Sequence, residues 1–111
     1  MPEIPLEISG HDVKRLRDEG DGVVLLDCRE PDEQKIAVIA GARLMPMSTI
    51  TERLGELAGQ QHARLVVFCH LGGRSLRVAL WLRQQGFAGA QSMAGGIDQW
   101  AVEIDPGMAR Y

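Results

Sequence analysis

Two runs of consecutive apolar residues stand out along the chain, Val23-Val24-Leu25-Leu26 and Leu65-Val66-Val67-Phe68. Neither alternates with polar residues, so each predicts a strand covered on both faces, as in a parallel sheet. Around them, apolar positions recur at helical spacing. Val13 and Leu16, with Ser9 as N-cap, predict a short helix that Gly20 ends. Pro31 suits the first turn of a helix, where Asp32 and Glu33 meet its positive end. Gly41 to Met45 reads as a weaker strand closed by Pro46. Ile50, Leu54 and Leu57 predict a helix capped by Ser48 or Thr51. Ser75 opens the most regular helix, Leu76 to Gln85, which Gly86 stops. Ala90 to Met93 is a last short strand, and Gly95-Gly96 leads into a turn or short helix ending near Trp100. Val102 to Tyr111, with Pro106 and Gly107, reads as a tail that wraps the surface or is mobile.

Strands alternating with helices predict an α/β fold with a small, mainly parallel sheet flanked by helices. No repeat or interdomain linker breaks the pattern, so residues 1–111 read as one domain, with a core over about 8–100 and a tail over 101–111. Composition supports an ordinary globular chain: 111 residues, 45% apolar and 24% charged. The formal net charge of −3 argues against a nucleic-acid binder, which usually carries a basic excess. The start of the chain has neither a basic region nor an apolar stretch of leader type, and no run is long enough to span a membrane. The expected compartment is therefore the cytoplasm, with both cysteines reduced.

A reduced thiol is available for chemistry, and one segment places a thiol where chemistry is expected. Phe68-Cys69-His70-Leu71-Gly72-Gly73-Arg74-Ser75 ends a buried strand on a cysteine, then curls through two glycines to an arginine and a serine. In open parallel sheets, ligands bind beyond the carboxyl ends of strands. Glycines let successive N–H groups converge on an anion, and the following helix adds positive potential. Lowering a cysteine pKa by about two units needs roughly 2.7 kcal/mol of preference for the thiolate. A helix end supplies roughly 0.3–1 kcal/mol. An N–H bond to a charged acceptor supplies roughly 1.5–3 kcal/mol, so the loop amides dominate. Cys69 is thus expected to be a low-pKa nucleophile in a cup of amides running from His70 to Arg74. Ser75 is expected to act as a helix cap. Cys28 reads as a packing residue, with a disulfide to Cys69 as the alternative. His11 and His62 have no metal-ligand spacing with the cysteines.

These residues carry a resemblance. Cys69-His70-Leu71-Gly72-Gly73-Arg74-Ser75 resembles the active-site loop of the rhodanese-like sulfurtransferases, Cys-x-x-Gly-x-Arg followed by Ser or Thr. Leu26-Asp27-Cys28-Arg29-Glu30-Pro31-Asp32-Glu33 is similar to that family's Asp-Val-Arg-Glu-Pro stretch, and Gly95-Gly96-Ile97-Asp98-Gln99-Trp100 to its closing Gly-Gly-x-x-x-Trp. The match runs from about Ile8 to Trp100. It implies a three-layer rhodanese-like fold and a persulfide carried on Cys69. A donor such as thiosulfate or a persulfide would load the sulfur, and cyanide or a cellular thiol would remove it. The departures are a missing histidine in Ala37-Val38-Ile39-Ala40-Gly41-Ala42 and Ile97 where a tryptophan is common near the pocket mouth. Efficient thiosulfate users in the family often carry more loop charge, which counts against thiosulfate as the physiological donor. Four residues separate Cys69 from Arg74. Cysteine phosphatases have five there and use a general acid, so the shorter loop disfavours phosphatase chemistry.

The sequence therefore predicts a sulfurtransferase with Cys69 as nucleophile. His70, Leu71, Gly72, Gly73, Arg74 and Ser75 would hold the substrate, and Asp27 and Arg29 would brace the loop. No metal or organic cofactor is implied, and neither nucleic acid nor membrane is an expected partner. Two alternatives stand: an inactive or weakly active binding module, and a relay that passes persulfide sulfur between proteins. An apolar mouth around Leu71 and Ile97 would favour the relay.

Overall fold

A computed structural model describes residues 4–111 of the chain. The residues that bear on a leader at the chain start, 1–3, lie outside that range. In chain order the elements are β1 (Glu7–Ile8), α1 (Gly10–Asp18), β2 (Val24–Asp27), α2 (Pro31–Gln34), β3 (Arg43–Leu44), β4 (Leu65–Phe68), α3 (Gly73–Gln84), β5 (Ala90–Met93) and α4 (Gly96–Glu103). A single 3-10 turn covers Leu54–Leu57. The five strands form one parallel sheet in the order β1-β5-β4-β2-β3. The second apolar run, β4, takes the central position and is buried at every residue.

Because strand side chains alternate, β4 sorts its residues between two cores. Leu65, Val67 and Cys69 pack with Leu26, Cys28, Val78 and Leu82 on the α3 side. Val66 and Phe68 pack with Leu25, Val13, Leu16, Ile97 and Trp100 on the side of α1 and α4. The result is three layers, helix–sheet–helix, as the strand–helix alternation predicts. Burying each of these large apolar side chains contributes roughly 1.5–3 kcal/mol. No helix among the described residues is long and apolar enough to cross a membrane.

Several expectations change in detail. The Ser9 cap is present, with its Oγ accepting from the Asp12 amide at 3.1 Å. Ser75, by contrast, does not cap α3. The cap is Gly72, with φ at +111°, and Ser75 is the third residue of the helix, in its first turn, where its side chain is buried. The segment over 48–57 is not an α-helix capped by Ser48 or Thr51. It is a chain of tight turns, closed by bonds such as Glu52 N to Thr49 O and Arg53 N to Ile50 O, leading into the 3-10 turn. Those turns still bury Ile50 and Leu57 and half-bury Leu54, the face the spacing picked out. The last helix runs past Trp100 to Glu103. Beyond it the tail is docked, with Arg110 paired to Asp98 at 3.0 Å.

Candidate active site

The loop after β4 is built around the sulfur of Cys69. Gly72, in a left-handed conformation that L side chains rarely adopt, turns its amide back onto Sγ at 3.1 Å. The Ser75 amide, in the first turn of α3, lies 3.4 Å from the same sulfur, and the Ser75 hydroxyl is also at 3.4 Å. That hydroxyl also lies 2.7 Å from Ser92 Oγ and 3.2 Å from the Gly72 carbonyl oxygen, and its single proton serves the sulfur when Cys69 is a thiolate. Ser75 therefore serves the sulfur rather than the helix end. Among the described residues, the amides of Leu71, Gly73 and Arg74 donate to no protein acceptor. The cup expected from His70 to Arg74 thus has two parts. The amides of Gly72 and Ser75 hold the sulfur, and unpaired amides border the opening.

A second helix end fixes the loop from below. The first amides of α4, Ile97 N and Asp98 N, donate to the carbonyls of Cys69 and His70 at 2.8 and 3.1 Å. The two loop carbonyls thereby satisfy donors that a helix N-terminus leaves open. Gly96 lies against those carbonyls so closely that a Cβ there would collide with both oxygens. The Gly95-Gly96 pair thus has a physical reason: two chain segments meet there backbone to backbone. It also relocates Ile97. Ile97 is buried beneath the loop and does not line the mouth, contrary to expectation. Leu71 is the apolar residue on the lip, 65% exposed.

Cys69 is only 1% exposed, yet it lines the floor of an open depression of about 320 Å³ with His70, Leu71, Gly73, Arg74 and Arg77. Its thiol pKa is held well below the ordinary cysteine value. The neighbouring Cys28 thiol, as hydrogen-bond donor, is the largest cause. Burial opposes it, and the Ser75 hydroxyl and the Ser75 and Gly72 amides add to it. Cys28, buried on the same core face, is pushed up by its bond to Cys69 and by burial.

Arg74 lines the same depression, but its guanidinium is engaged. It meets Glu33 on α2 in a bidentate pair at 2.6 and 2.8 Å. The pairing with Arg74, and then the Tyr111 hydroxyl, hold the Glu33 carboxyl down at about 2 against burial, and the same pairing raises Arg74. Arg74 therefore holds the wall of the depression with its charge balanced. Arg77, one turn further along α3 and exposed, makes no ion pair among the described residues. It is the free cation at the opening, and its spacing three residues after Arg74 is the signal from which it could have been read.

Asp27 and Arg29 sit on the opposite sheet face from Cys69. Arg29 is fully buried and pairs with Asp27 at 2.9 and 2.7 Å. It also donates to the carbonyls of Ala37 and Glu33 and to Tyr111 Oη at 3.1 Å, and lies over the Phe68 ring. Its brace acts on the turn after α2 and on the tail, and touches the Cys69 loop only through other residues. The main link is Tyr111. Its hydroxyl donates to Glu33 Oε2 at 2.8 Å, and its ring stacks on His70 at 3.9 Å. From the sequence, Glu33 was read only as a carboxylate at the start of α2 and Tyr111 only as part of the tail, because neither motif nor spacing brings them to Arg74. His11 pairs with Glu103 on the surface, away from the loop. No group of three metal-ligating side chains occurs among the described residues.

Known proteins share the family pattern and the fold. The family model for the rhodanese-like domain matches residues 9–103. A maize protein, adenylyltransferase and sulfurtransferase MOCS3-2, is 36% identical over all of this chain, which covers 24% of that protein. The chain thus spans about a quarter of the length of that relative. A sulfurtransferase of Allochromatium vinosum is 35% identical, with 79% of each chain covered. Among solved structures, the human single-domain sulfurtransferase TSTD1 superposes with a TM-score of 0.77 at 26% identity, covering 90% of this chain and 98% of that one. A rhodanese-like domain protein from Staphylococcus aureus gives 0.81 at 26% identity, covering 96% and 99%. With the fold, the cysteine loop and the glycine pair under it all in place, the chain belongs to the rhodanese-like domain family.

Proposed function

We propose that this chain is a sulfurtransferase that carries sulfane sulfur as a persulfide on Cys69. The observation that carries the reading is the sulfur itself: Cys69 Sγ receives two backbone amides and faces an open depression bordered by unpaired amides. The Cys69 thiolate attacks the outer sulfur of a donor, and the donor's remaining fragment leaves with the electron pair of the broken bond. A persulfide anion stays in the loop. An acceptor thiolate or cyanide then attacks that outer sulfur and regenerates the Cys69 thiolate.

The charges at the site bear on the donor. Arg74 and Glu33 cancel, which leaves Arg77 to face any donor beside an anionic Cys69. A single cation against one thiolate gives little attraction for a dianion such as thiosulfate. A persulfide donor of lower charge suits this balance better. Leu71 is exposed at the lip but Ile97 is buried, so the apolar mouth that would favour a relay between proteins is reduced to a single side chain. The cytoplasm, with its reduced thiols, is the compartment proposed for this chemistry.

Intact mass after incubation with a persulfide or thiosulfate donor, and again after cyanide, tests the proposal. The expected result is a gain of one sulfur mapped to Cys69, removed by cyanide and absent in Cys69→Ser. Full transfer activity in Cys69→Ser would overturn it.

A further inference from the structure

The second cysteine stands in a defined place relative to the first. Strands β2 and β4 pair with Leu26 opposite Val67 and Asp27 opposite Phe68. The ladder continues one step beyond the strands, with the Cys28 amide donating to the Phe68 carbonyl at 3.0 Å. In that register Cys28 falls opposite Cys69. Both side chains point to the same face and share one apolar cluster with Leu26, Met45 and Val67. Neighbouring strands run about 4.7–4.9 Å apart. A disulfide tolerates Cα separations of roughly 4.4–6.8 Å. Both thiols are free, and Cys28 is wholly buried. Solvent-borne reagents do not reach it, whereas the Cys69 sulfur does.

We propose that Cys28 is a resolving thiol: when no acceptor arrives, it attacks Cys69 within the chain and turns the persulfide into a Cys28–Cys69 disulfide with release of sulfide. The step rests on the persulfide reading above. The Cys28 sulfur bonds to Sγ of Cys69, the inner sulfur of the persulfide, and the bond from Sγ to the outer sulfur breaks. The outer sulfur leaves with that electron pair and takes the Cys28 proton, departing as hydrosulfide. Two cysteine sulfurs are oxidised and one sulfane sulfur is reduced, so no outside oxidant is needed. Position decides which sulfur is attacked, because Cys28 lies on the strand side of Sγ while the outer sulfur occupies the loop and its opening. Persulfidation also moves the negative charge one atom away from Cys28, weakening the bond to the Cys69 sulfur that, ahead of burial and repulsion, keeps its proton on. A dithiol reductant of the thioredoxin class would reopen the disulfide by exchange. The pair thus gives the domain a second outcome: sulfide release with reversible self-inactivation.

The test uses the full chain, loaded with one sulfur, freed of donor and kept anaerobic without acceptor. Wild type should release one equivalent of sulfide, lose two hydrogens relative to the reduced chain and yield a Cys28–Cys69 peptide. Cys28→Val and Cys28→Ala should hold the sulfur on Cys69 at least roughly tenfold longer. Equal decay in wild type and variants, or sulfide loss without the linked peptide, would overturn the proposal. If no protein takes up sulfur at all, the persulfide reading itself fails. The geometry of the pair is judged separately with hydrogen peroxide, which oxidises Cys69 to a sulfenic acid that Cys28 condenses with, expelling water. Absence of the linked peptide from peroxide-treated wild type would rule out Cys28 as a resolving thiol.

Discussion

At the residue scale, the Gly72 and Ser75 groups that meet the Cys69 sulfur come from within six positions of it, which is why that part of the loop was legible in the sequence, whereas Cys28, which also acts on the thiol, comes from another strand end. Gly72 and Ser75 sit in the same short segment, and turn chemistry alone suggests amides converging on the thiol. The identity of the acting groups was not legible. Ser75 looked like a cap because Ser before an apolar run usually is one, yet Gly72 takes the cap and frees Ser75 for the sulfur. This reassignment predicts a pH effect. Removing the hydroxyl with Ser75→Ala deletes one bond to the thiolate and leaves both amides in place. A bond to a charged group of roughly 1.5 kcal/mol corresponds to about one pH unit. The midpoint of Cys69 alkylation against pH should lie well below about 8.5 in wild type and rise by about one unit in Ser75→Ala. An unchanged midpoint would mean that the amides and Cys28 alone hold the thiolate. The two cations divide in the same way. Arg74→Ala leaves the Glu33 carboxylate without its cation at the wall of the depression and should slow loading with every donor. Arg77→Ala removes only the free charge and should raise the half-saturating concentration of an anionic donor while sparing the maximal rate. Steady-state kinetics with a charged and an uncharged donor separates the two.

At the scale of elements, the buried runs identified themselves because parallel strands covered on both faces need no alternation, and β2 and β4 lie within a residue of where the apolar runs put them. Short elements were harder to read. β1 is two residues, Glu7 and Ile8, and forms only because β5 offers its open edge there. Local preference carries almost no information about such a strand. The segment over 48–57 shows the converse. Its apolar spacing was right, but Thr49, Thr51 and Gly55 weaken an α-helix, and successive three-residue turns bury the same face. The element that matters most for the site is α4, whose first amides carry the Cys69 and His70 carbonyls. Gly96→Ala tests that junction. The new Cβ would meet two carbonyl oxygens at a residue whose φ is +60°. The strain and the clash together should cost about 1–3 kcal/mol or more in urea denaturation. Because the displaced carbonyls belong to the sulfur loop, Cys69 alkylation should change in the same variant. Gly107→Ala in the tail, where a Cβ meets only a side-chain oxygen at 3.8 Å, is the control and should leave both measurements near wild type.

At the scale of the whole molecule, the tail couples parts of the chain that no local pattern connects. Tyr111 stacks on His70, donates to Glu33 and accepts from Arg29, so one aromatic side chain ties the sulfur loop to α2 and to the Asp27–Arg29 pair. The sequence showed only a tail with a proline and a glycine, since contacts spanning 78 and 82 positions leave no periodic trace. Glu33 is the hub, and its ionisation makes the coupling visible. Its carboxyl falls from an ordinary value of 4.5 to about 2 in the folded chain, chiefly through Arg74. A depressed folded pKa contributes stability that is fully present above the unfolded value and is lost as pH falls through the folded one. Glu33→Gln should therefore be less stable than wild type at pH 7 by an amount that stays level down to about pH 5. The difference should shrink across the window from 4.5 towards 2. Tyr111→Phe removes one partner of the carboxylate, leaves Arg74 and the Glu30 amide and keeps the ring on His70, so its deficit should be smaller and follow the same window. Denaturant melts of the three proteins at several pH values measure this. A Glu33→Gln deficit that is the same at pH 7 and at pH 2 would mean that the carboxylate's charge does not hold the tail and loop together, and that packing of Tyr111 alone does.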